Sequence, residues 1–170
     1  MPAWFSYVLL TVSCWGLYGV FLHLGATNMA DPANGRLKAF LFVGLAYFLV
    51  AVLAPLALLV ARGAPMSFDG SGAAWSLVAG TVGAIGAFGV LLAFGAGGKP
   101  AVVMACVFAG APIINALVSV TRAGQWADVT WPFLVGIVLA ATGGGLVVYN
   151  KPAPAHASPL GADVGEGAER

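Results

Sequence analysis

Five long apolar runs alternate with short polar stretches along this chain. The runs cover residues 4–24, 39–61, 75–96, 101–121 and 130–149, and the stretches between them read GATNMADPANGRLK, RGAPMSFDGSGA, GGKP and RAGQWADV. A hydrocarbon layer about 30 Å thick takes about 20 helical residues to cross, so each run is long enough to span a bilayer. None shows the apolar–polar alternation of a barrel strand. Backbone groups in lipid must find partners within their own segment, which leaves helices as the only assignment. Every Asp, Glu, Lys and Arg lies outside a run or at its edge. The pattern therefore predicts an all-α integral membrane bundle of five transmembrane helices over residues 1–150.

Composition sharpens this picture. With 61% hydrophobic and only 8% charged residues, the chain has too little charge to coat a soluble domain of its size. A formal net charge of +1, carried by basic residues that stand singly, gives no stripe for nucleic acid. The two cysteines, Cys14 and Cys106, sit in apolar runs without the His or Cys neighbours of a zinc site, so no metal or cofactor is expected. The first run has no Lys or Arg before it and continues well past Cys14, so it reads as a mature helix rather than a removable leader. Residues 151–170, KPAPAHASPLGADVGEGAER, hold almost no large apolar side chain and read as a disordered tail, with His156 solvated. The partner implied by all of this is the lipid bilayer, here the cell membrane.

Glycine is unusually dense in the third run, at 80, 83, 86 and 89. In lipid no hydrophobic drive pulls helices together, so small residues that let backbones approach become packing faces. Gly80, Gly83 and Ala87 form one such seam, and Gly136, Ala140 and Gly144 form another on the fifth helix.

The polar positions inside the runs carry the candidate chemistry. Thr11, Trp15 and Tyr18 share one face of the first helix, and Phe108, Pro112, Asn115 and Ser119 share one face of the fourth. Asn115 is the one amide deep in a run, and hydrocarbon penalises it unless it meets another helix or a wet cavity. Pro112 removes a donor and frees the carbonyl of Phe108, which predicts a loosened, polar place near mid-membrane. Asn115 reads either as interhelical glue or as the lining of a solute path, and Tyr47 carries the same two readings. Trp126, Trp131 and Tyr149 read as interface anchors. In GAGGKPA a left-handed Gly97 or Gly98 and a helix-opening Pro100 predict a tight turn between antiparallel helices. Lys99 then reaches the headgroups, as a topology marker or as an attractant for anionic solute.

At this combination the sequence resembles the EamA-like family of the drug/metabolite transporter superfamily, in its single-repeat form. CWGLYGVF in the first helix, GAFGVLLAFGAGGKPAVVMACVFAGAPIINALVS across the third and fourth, and the closing FLVGIVLAATGGGLVVY look like that family's helices, over roughly residues 4–149. Members commonly carry Leu-x-Glu after the fourth helix, where this chain reads SVTRAGQWADV. The resemblance implies a solute path shared between two such repeats. Five crossings put the chain ends on opposite sides, so the missing half comes from a homodimer or from a similar half-size protein.

Lys and Arg near the runs divide into Arg36, Lys38, Lys99 and Lys151 on the C-terminal side and Arg62 and Arg122 on the other. The positive-inside rule then puts the C-terminus in the cytoplasm, whereas the resemblance to a first repeat implies the reverse. No carboxylate lies inside a run, and no nucleophile, base and orienter can be assembled, so an enzyme is not expected. The function read from the sequence is a half-size transporter of small metabolites. Its small-molecule solute would be met by Trp15, Tyr18, Tyr47, Lys99 and Asn115 in a dimer that works by alternating access. The alternative is a non-transporting scaffold or accessory subunit whose small-residue faces dock a larger membrane partner.

Overall fold

The computed structural model describes residues 2–150; the expected tail at 151–170, with His156, lies outside the described residues. Among these residues five helices are long and apolar enough to cross a membrane and make up the bundle, and the chain is a multi-pass membrane protein. They are α1 (Ala3–Thr27), α2 (Gly35–Ala61), α3 (Gly70–Gly95), α4 (Pro100–Ala123) and α5 (Trp131–Tyr149). Each contains its expected apolar run, to within a residue at the ends, and most extend a few residues into the polar flanks. The interface supplies partners for helix ends that hydrocarbon would leave bare.

The turns follow the local chemistry. Asp69 caps α3 by accepting a hydrogen bond from the Gly72 amide at 2.8 Å. At the other end of α3, the Gly98 amide donates to Ala93 O and the Gly97 amide to Phe94 O, with Gly97 at φ +90°. That double closure needs a left-handed residue, and glycine takes it without a Cβ penalty. Lys99 is then extended, and Pro100 opens α4. In the α1–α2 loop, Asp31 accepts from the amides of Ala33 and Asn34 and pairs with Lys38 at 2.6 Å.

The Lys38 ammonium, followed by the Asn34 amide, holds the Asp31 carboxyl below the usual carboxylate range. The folded loop thus binds this proton less readily than the unfolded chain does. Its contribution is complete above the ordinary Asp value of about 3.9 and is lost as pH falls through the lower folded value. Hydrogen exchange at the Ala33 and Asn34 amides, normalised for intrinsic rate, should lose protection only in that acid window. Asp31→Asn should lose part of it at neutral pH.

Two prolines lie beyond the first turn of their spans, and they behave differently. Helix α4 is unbroken α-helix from Pro100 to Ala123 across Pro112, so the loosened place expected there is absent. A helix can lose one bond at proline and keep its register. The break lies instead in α2, where Leu49–Leu53 form a π turn immediately before Pro55. The Ala54 amide reaches back five residues to Leu49 O. This wider turn makes room for the Pro55 ring beside the carbonyl of the preceding turn.

The core occupies one end of the bundle. Among the described residues the buried ones are Gly19 and Leu22 of α1, Gly35 and Ala39 of α2, Ala87, Val90, Leu91 and Phe94 of α3, and Met104 of α4. All lie near the C-terminal ends of α1 and α3 and the N-terminal ends of α2 and α4. The farthest from that end, Gly19 and Ala87, are roughly 12 Å from it at 1.5 Å per residue. Aromatic contacts tie the same level together: His23 meets Phe94 edge-on at 5.5 Å, and Phe40 meets Phe88 at 5.3 Å. Arg36 reaches across to the last turn of α3, its Nη1 3.5 Å from Gly95 O. We call this the closed end. Toward the opposite, open end α1 and α2 are exposed along their length. A contact there is Arg122 stacked over Trp75 at 5.8 Å, joining α4 to α3.

Helix α5 packs chiefly along α4. Its contact point is Gly144, where an added Cβ would overlap Ala109 Cβ and sit 3.6 Å from Ala105 O. Of the two small-residue seams, this one is used through Gly144, while Gly136 has open space beside it. Of the α3 seam only Ala87 is buried; a Cβ at Gly80, Gly83, Gly86 or Gly89 would touch nothing within 4 Å.

Candidate functional site

Helices α1 and α2 flank an open cleft of about 460 Å³. Its walls are Cys14, Tyr18, Phe21 and Leu22 from α1 and Phe42, Val43 and Tyr47 from α2. None of its lining residues carries a formal charge. Tyr18 turns one edge to the core, packing against the cluster of Leu22, Val90, Leu91, Phe94 and Met104. Its hydroxyl oxygen is buried without a hydrogen-bond partner. Such an unsatisfied donor costs about 1–3 kcal/mol. Tyr18→Phe removes the hydroxyl and keeps the ring. It should raise the unfolding midpoint in detergent by an amount equivalent to about 1–3 kcal/mol; an unchanged or lower midpoint would show that the hydroxyl has a partner.

A second groove, about 530 Å³, lies between α4 and α5 among Cys106, Gly110, Ile113, Ala141, Gly145 and Tyr149. It follows from the close approach at Gly144, which leaves shallow space on either side of one tight contact. Its walls are almost wholly apolar.

The structure brings together some of the expected site residues and separates others. Tyr18 and Tyr47 both line the α1–α2 cleft. Trp15, one turn before Tyr18, turns to α4 instead, its ring 6.4 Å from that of Phe108. Asn115 lies two turns beyond Phe108 on the same face of α4, toward the open end. It is exposed, and among the described residues its amide makes no hydrogen bond. Lys99 is exposed at the closed end, roughly 24 Å from Asn115 along α4 at 1.5 Å per residue. Thr11 donates to Tyr7 O at 2.9 Å, so its hydroxyl is spent within its own helix.

Three features beside the cleft escape a sequence reading. Phe42 and Phe21 supply aromatic walls but look like ordinary lipid-facing residues in the chain. The π turn begins two residues after Tyr47, and Pro55 was the one signal for it. π turns inside helices are frequent at functional sites. No family model, curated protein or solved structure matches the chain.

Proposed function

We propose that this chain is one half of a transporter of small metabolites, an EamA-like single repeat that pairs with a second copy and works by alternating access in the cell membrane. The observation that supports this reading is the one-ended core. A bundle sealed by Leu22, Leu91, Phe94 and Met104 at one end, and unpacked toward the other, has the form of one of the two states that alternating access exchanges. In this reading Trp15 and Tyr18 are aromatic walls, and Asn115 orients solute entering from the open end. Tyr47 closes the cleft from α2, and Lys99 draws anionic groups at the far mouth. The second copy covers the glycine face of α3 and supplies the missing wall.

That same glycine face favours a second reading, in which the chain is a scaffold and α3 docks a larger membrane partner. Flux separates the two. The chain alone, reconstituted into liposomes at densities that allow pairing, should take up at least one solute from a panel of amino acids, sugars and amines. Uptake should be saturable and absent from empty vesicles. A strict monomer that moves none of them leaves the scaffold reading.

A further inference from the structure

The α1–α2 cleft has a chemistry that specifies its occupant. Two phenols, Tyr18 and Tyr47, line it, and no described hydrogen bond involves either hydroxyl. Tyr18 is roughly 13 Å from the end of α1, and Tyr47 roughly 18 Å from the start of α2, at 1.5 Å per residue. Both therefore sit near the midplane of a layer about 30 Å thick. Bilayer lipids carry their ester and phosphate oxygens at the interface and offer nothing but hydrocarbon at this depth. Helix carbonyls nearby are spent within their own helices, save the one that Pro55 leaves without a donor, which lies C-terminal to Tyr47 whereas helical side chains lean toward the N-terminus. An acceptor for the Tyr47 hydroxyl, the one of the two not sealed against the core, would come from a molecule that partitions into the membrane.

The rest of the lining narrows the class. Phe21, Phe42, Val43 and Leu22 present apolar and aromatic surface, and no lining residue is charged. A cation here would have no carboxylate within the spans, and an anion no basic side chain, both costly at mid-membrane. The volume of about 460 Å³ suits a molecule of two or three fused rings with room to spare. Tyr18 has its hydroxyl enclosed, whereas Tyr47 is half exposed and is the phenol within reach of a ligand.

We propose that this cleft binds an uncharged, lipophilic carbonyl compound, stacked between Phe21 and Phe42, whose oxygen accepts a hydrogen bond from Tyr47 Oη. Tyr18 forms the back wall with its ring. The proposal concerns binding alone, so it stands or falls separately from solute flux.

Benzophenone, a diaryl ketone that inserts into nearby C–H bonds on irradiation, is the probe. With the full chain in phosphatidylcholine nanodiscs, labelling should saturate and map to the cleft-facing residues of α1 and α2. Fluorenone and fluorene share a shape and differ by one carbonyl. At equal membrane concentrations fluorenone should displace benzophenone about tenfold better, the size of one net hydrogen bond. Tyr47→Phe should abolish that difference, and Tyr7→Phe, on α1 but outside the cleft, should retain it. The proposal is overturned if fluorene competes as well as fluorenone against the native chain, which would mean that water or nothing serves the phenol. Labelling that never saturates, or stronger displacement by the lipophilic cation tetraphenylphosphonium, also overturns it. A fluorenone preference that survives Tyr47→Phe removes Tyr47 as the donor. The native-chain comparison decides the matter even where a variant fails to fold.

Discussion

Asn115→Leu should leave a folded five-helix chain and cut solute flux at least about tenfold, the cost of leaving one polar contact to solute unmade. The fold should tolerate the change because the Asn115 amide is exposed and makes no hydrogen bond among the described residues. Nothing within the chain is lost when it goes, and leucine is the better residue wherever that face meets lipid. A solute that relies on the amide loses its orienting partner, so the defect should appear in flux and not in the melting curve. Asn115→Gln, which keeps the amide, should recover part of the flux. If Asn115 instead glues this chain to a partner, the leucine variant weakens assembly on size-exclusion chromatography and there is no flux to lose. Proteoliposome uptake, thermal unfolding in detergent and oligomer size, measured on the same preparations, separate these outcomes.

The largest effect on stability is expected at Gly144. A methyl group there would overlap the methyl of Ala109, and neither can move without parting the two backbones. Overpacking at such a contact costs about 1–3 kcal/mol, so Gly144→Ala should lower stability by that amount. Gly144→Leu should detach α5 from α4. Because the clash lies between two named methyl groups, Ala109→Gly in the Gly144→Ala background should restore most of the loss. The double-mutant cycle should therefore be strongly non-additive. Simple additivity would mean that α4 and α5 meet elsewhere. Gly136→Ala, on the same helix but beside open space, serves as the silent control. A Cβ at Gly19 would meet Cγ and Sδ of Met104, itself buried in the core, so Gly19→Ala should also be destabilising.

How far the site was legible follows from the range of the forces that build it. Tyr18 and Trp15 lie on one stripe of α1 in any helical projection, yet they serve different neighbours: Trp15 meets Phe108 of α4, and Tyr18 lines the cleft with α2. A stripe has width, and when two helices flank it, residues one turn apart divide between them. Tyr47 was visible as a polar residue in an apolar run, but its pairing with Tyr18 depends on α1 and α2 lying side by side. The disruption expected at Pro112 arose at Pro55 instead, because backbone accommodation is settled by what packs around a proline, not by its presence.

What the chain determined by itself is the bilayer, the five crossings and the GGKP turn. These depend on the transfer of each segment into hydrocarbon and on the φ preferences of single residues, both properties of local sequence. Only the tertiary structure decided that the core seals one end, that Gly144 is a contact while Gly80, Gly83 and Gly136 are not, and that two phenols share a cleft. In lipid every apolar face is equally content, so the choice among them falls to shape, and shape is complete only when all five helices are in place.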